Sequence, residues 1–104
     1  MSELDAALAG RLARLAARGE TIGYGALAAE LGVRIADLTA ALEATMDHDA
    51  ARGEPLRAAL LFGKLTGGLP ARGFFDKAAA LGIRIDDPAG YVAATRAQLA
   101  VKHD

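Results

Sequence analysis

The sequence predicts a mainly α-helical single domain over residues 1–104 with a minor β component: about five helices and one small β-hairpin. Three observations carry this expectation. Apolar residues recur at three- and four-residue spacings along most of the chain, which places them on one face of a helix. Alanine supplies 26 of the 104 residues, and it favours helix while burying little area. The helical pattern breaks once, where alternating apolar residues run into Thr66-Gly67-Gly68, a turn signal.

The first helix starts at Ser2, with Asp5 three residues on: serine caps the exposed amides and an acid suits the N-terminal dipole. Leu4, Leu8, Leu12 and Leu15 form its apolar face. Arg11, Arg14 and Arg18 lie mainly on the others, and Gly19 ends it. Thr21 and Ile22 are β-branched and fit a strand of two or three residues, provided a partner exists elsewhere.

Residues 21–46, TIGYGALAAELGVRIADLTAALEATM, are the organising stretch. Tyr24, Leu27, Ala28 and Leu31 share one helical face. Gly32 stands where a helix C-terminus favours a left-handed residue. Ile35, Leu38, Leu42 and Met46 make a second stripe, and only Gly32-Val33-Arg34 separates the two. So short a link makes the helices cross, as in a helix-turn-helix unit.

Leu56, Ala58, Leu60 and Phe62 alternate, and Leu69-Pro70-Ala71-Arg72-Gly73 can return after the turn as a short second strand. Pro70 lacks a donor and makes that strand an edge. The competing reading continues Leu56–Phe62 as helix, because its residues are not strongly β-forming. Phe74, Phe75, Ala78 and Leu81 describe a short helix closing at Gly82, with one phenylalanine inside and the other over the hairpin base. Ile83 and Ile85 lie in a connector. Asp87-Pro88 opens a last helix through a capping acid and an N-terminal proline. Tyr91, Val92, Thr95 and Leu99 line it, and it ends near Lys102. Repeats, low-complexity tracts and linkers are absent from the sequence.

Two crossed helices followed by a hairpin resemble winged helix-turn-helix domains. More narrowly, YGALAAELG at 24–32 and KLTGGLPARGFF at 64–75 resemble a family of small uncharacterised bacterial domains, over residues 20–82. Those motifs imply a fold and are almost silent about activity. TIGYGALAAELG is also similar to the opening of the DNA-binding domain of alkylguanine-DNA alkyltransferases and alkyltransferase-like proteins. Those families continue with a helix carrying a duplex-entering arginine, then a Pro-Cys-His-Arg motif. Here Pro55-Leu56-Arg57 stands near that place, residues 35–51 hold no arginine, and the chain holds no cysteine, which excludes alkyl transfer.

Composition narrows the chemistry. Without cysteine, disulfides, thiolate metal sites and cysteine nucleophiles are excluded. Ser2 is the single serine and has no His/Asp setting. His48 and His103 are far apart, and Asp47-His48-Asp49 would point about 100° apart along a helix rather than converge on an ion. Gly63, Gly67 and Gly68 lack a phosphate-cradling spacing. The expectation is therefore a non-enzymatic module with no cofactor and no metal. The apolar runs are too short for a membrane span and the N-terminus is acidic, so the sequence predicts a soluble, cytoplasmic protein with no membrane partner.

Net charge is −1, from 12 basic and 13 acidic residues. Residues 35–50 carry Asp37, Glu43, Asp47 and Asp49 with no lysine or arginine, which opposes groove entry by that helix. The basic residues gather on or near the wing: Arg52, Arg57, Lys64, Arg72 and Lys77. The favoured expectation, by a narrow margin, is nucleic-acid binding through Arg57, Lys64, Arg72 and Lys77 on that wing. The alternative is a protein-interaction or dimerisation module, with Tyr91 and Leu99 of the C-terminal helix as an apolar edge.

Overall fold

Helix α1 (Glu3–Arg18) starts as expected in the computed structural model, which describes residues 2–101. The Ser2 hydroxyl accepts from the Asp5 N–H at 3.0 Å and the Asp5 carboxylate accepts from the Ser2 N–H, a reciprocal capping box. Leu8, Leu12 and Leu15 are each 1% exposed. Strand β1 (Ile22–Gly23) leads directly into α2 (Tyr24–Leu31). Gly32, at φ 68°, closes α2 in the left-handed region, and α3 (Ile35–Ala51) follows. The two stripes of the organising stretch are thus two helices joined by a three-residue turn, with Leu27, Leu38, Leu42 and Met46 all buried.

The chain then departs from the expected wing. Arg57–Leu60 is a 3-10 turn, and strand β2 covers only Leu61–Phe62. β2 pairs with β1 in parallel, Ile22 opposite Leu61 and Gly23 opposite Phe62. The short strand at Ile22 does find its partner in the 56–64 stretch, but a second hairpin strand does not form. Ala71 caps α4 (Arg72–Ala80) instead. The reason is burial. Ala58, Ala59, Leu60 and Leu61 are consecutive buried residues, lying against α1, α3 and α5, whereas a wing strand needs one face in water. The segment is core, and its apparent alternation comes from alanines that are as buried as their neighbours.

In place of a hairpin, residues 63–69 form a closed loop. The Gly63 N–H donates to the Leu69 carbonyl at 3.2 Å, and the Thr66 hydroxyl accepts from Gly63 N–H and donates to the Leu69 carbonyl. A Cβ on Gly63 would lie 2.9 Å from the Thr66 methyl, so this closure needs glycine there.

Helix α4 carries Phe74 inside and Phe75 half-buried, their rings edge to face at 5.1 Å. Asp87 caps α5 (Pro88–Val101) by accepting from the Gly90 N–H at 3.2 Å. The expected apolar edge on α5 is corrected by the fold. Leu99 is 3% exposed and belongs to the core, and Tyr91 is half-buried against it, because α5 packs on α1 and the 3-10 turn. The predicted helix end at Lys102, and His103, lie outside the described residues. The described helices include none long and apolar enough to cross a membrane.

Candidate functional site

The four cations expected to meet phosphate are placed very differently. Arg57 faces inward: its guanidinium grips the Asp49 carboxylate at 2.9–3.1 Å while its backbone N–H donates to the same group at 3.0 Å. Asp49 is 3% exposed, so this pair satisfies a buried charge. Lys77 reaches Asp47 at 2.9 Å. The charged run at 47–49 is thus divided between two partners on different elements. Arg72 is exposed and only loosely paired with Asp76, at 3.8 Å. Lys64 is exposed and has no ion-pair partner among the described residues. The structure therefore does not bring the four together into one basic surface.

What it does assemble is an apolar cleft of about 450 Å³ between α2, α3, β2 and α4. Leu42, Met46, Ala58 and Phe74, all buried, form its floor. Tyr24 and Phe62 stand as walls. Ile35, 55% exposed, sits at the mouth with Thr39, Glu43 and Lys64. Large exposed apolar side chains are few among the described residues: Ile35, Leu65 and Val101. Ile35 lines this cleft, and Leu65 directly follows its rim residue Lys64.

Two wall positions are glycines at the second residue of a helix, Gly25 in α2 and Gly73 in α4. Neither has positive φ, and an added Cβ would meet nothing within 4 Å at either. Glycine inside a helix costs about 0.5–1 kcal/mol relative to alanine. The fold gives no conformational or steric reason for it here. Its effect is to leave the cleft walls bare. We expect Gly73→Ala to raise thermal stability by about 0.5 kcal/mol, roughly 2–4 °C for a domain of this size. Calorimetry checks this, and a lower Tm would reveal a structural need for glycine.

Two side chains hold the cleft's frame. The Tyr24 hydroxyl accepts from the Ala71 N–H at 3.0 Å, tying α2 to the start of α4. Arg96 of α5 donates to the carbonyls of Ala59 at 2.8 Å, Leu61 at 3.4 Å and Gly68 at 2.8 Å. It thereby fixes the 3-10 turn, β2 and the 63–69 loop to one helix. Burial raises the Tyr24 phenol above its ordinary pKa, against the opposing pull of the Ala71 N–H and the Arg96 charge. A phenol raised on folding stabilises fully below its unfolded pKa, and that contribution falls as pH rises above about 10. Absorbance titration should show a late phenol ionisation that is absent in Tyr24→Phe. No late step would contradict the burial.

A second, more polar notch of about 290 Å³ surrounds Arg57 and Asp49, with His48, Arg52 and Glu54 at its edge. Arg52 and Glu54 are bonded to each other there at 2.6 Å. The Asp49–Arg57 pair there is the buried one, and Arg52–Glu54 is a surface pair.

The helices around the cleft are legible in the sequence and the cleft itself is not. Gly25 and Gly73 lie inside helices, but so do Gly10 of α1 and Gly90 of α5, which do not line it. Comparison with protein-family models, with curated proteins and with solved structures gives no match. The resemblances carried by residues 24–32 and 64–75 thus rest on the sequence alone.

Proposed function

We propose that this chain is a non-enzymatic docking module whose cleft between α2, α3 and α4 receives an apolar segment of a protein. One observation carries the reading: a cleft of about 450 Å³, floored by apolar side chains, opens beside the exposed Ile35. Its size suits a few side chains, and its few polar groups sit at the rim, as in recognition clefts generally. The charges point the same way. Arg57 and Lys77 are held by Asp49 and Asp47, so the cationic surface expected for a phosphate backbone shrinks to Lys64 and Arg72.

A phosphate-backbone contact is the second reading, favoured by the exposure of Lys64 and Arg72. Two titrations of the whole chain separate them. The docking reading expects the apolar fluorophore anilinonaphthalene sulfonate to bind, and Gly73→Leu or Ile35→Asp to weaken it about tenfold. It expects random duplex DNA to give no anisotropy change at low salt, where electrostatic attraction is strongest. DNA binding that weakens with salt, and whose salt slope flattens in the Lys64→Ala/Arg72→Ala variant, would overturn it in favour of the second reading.

A further inference from the structure

An exposed leucine follows the cleft's rim residue Lys64 directly in the chain. Leu65 is 99% exposed, the most exposed large apolar side chain described, and it belongs to the closed 63–69 loop. Open solvent is an unfavourable place for a bare leucine, and this loop is not loose. Thr66 closes it onto Gly63 and Leu69, and Arg96 holds its Gly68 carbonyl at 2.8 Å. The leucine is presented on a fixed support, so ordering it on binding costs little.

The rim adds a charge argument. Glu43 on α3 and Lys64 on the loop both line the mouth, and neither has an ion-pair partner among the described residues. One acid and one base on a single face are self-complementary. In a two-fold pair, residue i of one copy meets residue j of the other and the reverse, so both charges are matched twice. A net charge of −1 per chain sets almost no repulsion against pairing.

Building on the docking reading, we propose that the occupant of the cleft is a second copy of this chain. In a two-fold dimer each copy inserts Leu65 into the other's cleft, and Lys64 of each pairs with Glu43 of the other. Standard interfaces bury about 800 Å² per partner. A chain exposing 5972 Å² can supply that from one face.

Sedimentation equilibrium on the whole chain, from about 1 µM to about 1 mM, tests this. The wild-type chain is expected to form dimers within this concentration range. Leu65→Asp, at a side chain that touches almost nothing, should weaken pairing at least tenfold without changing the circular dichroism. Lys64→Glu alone and Glu43→Lys alone should each be monomeric, because each sets like charges against each other twice. An equimolar mixture of those two variants should dimerise, since both pairs are restored between unlike copies.

A wild-type chain monomeric at the highest concentration would overturn self-docking. So would a mixture no more associated than its components, or a dimer indifferent to Leu65→Asp. If the monomeric chain still binds the apolar fluorophore and loses it in Gly73→Leu, the cleft works with another protein segment and only the self-docking inference falls. If fluorophore binding is absent as well, the docking reading falls with it.

Discussion

Replacing Asp49 by alanine should destabilise the fold by about 3 kcal/mol, as much as truncating a buried leucine. The carboxylate is 3% exposed and receives the Arg57 guanidinium and backbone N–H together. Removing it leaves a guanidinium that is partly buried, beside a 3-10 turn whose first N–H has lost its acceptor. That turn sits against α1, α3 and α5, so the damage enters the centre of the core. Domains of this size are commonly stable by about 5–15 kcal/mol, so the variant should be marginal at room temperature. Urea unfolding measures it. Asp49→Ala combined with Arg57→Met should recover part of the loss, because the orphaned charge goes too. A single variant within about 0.5 kcal/mol of wild type would mean the pair is not the anchor its geometry indicates.

Arg96→Met is the second large effect, about 2–3 kcal/mol, with a structural signature of its own. Among the described residues, the arginine is the one group that donates to the 3-10 turn, to β2 and to the 63–69 loop at once. Methionine keeps much of the aliphatic stem and removes only the donors. The stability loss should be accompanied by faster hydrogen exchange at Gly63, whose N–H donates to the Leu69 carbonyl, and at Leu69, whose N–H donates to the Thr66 carbonyl. Because the loop forms one rim of the cleft, the variant should also bind the apolar fluorophore less tightly. Unchanged exchange at those amides would show that Thr66 alone holds the loop.

The features legible in the sequence were those set by local chemistry. Ser2 with Asp5, Gly32 between two apolar stripes, and Asp87 before Pro88 each determine a helix boundary within a few residues, and each boundary is where expected. The mainly helical class followed from the same local signals. The hairpin was a non-local question. Whether Leu56–Phe62 is an exposed strand or buried core depends on α1, α3 and α5 packing round it, and alanine gives almost no hint, since it fits either place. The charge reading failed to anticipate pairing for a like reason. Arg57 meets Asp49 across a helix end and Lys77 meets Asp47 from another helix, so a tally of basic residues near one segment overstated the free charge. Arg96 was invisible because its acceptors are backbone carbonyls 28–37 residues away. The cleft needs four elements in place before it exists.

Binding is expected at that cleft. The most direct measurement is an amide NMR titration of the ¹⁵N-labelled chain with the apolar fluorophore, at a protein concentration low enough to keep it monomeric. Shifts concentrated at residues 23–26, 35–46 and 71–74, and lost in Gly73→Leu, are the predicted result. Shifts scattered over α1 and α5, or shifts that persist unchanged in Gly73→Leu, would contradict it.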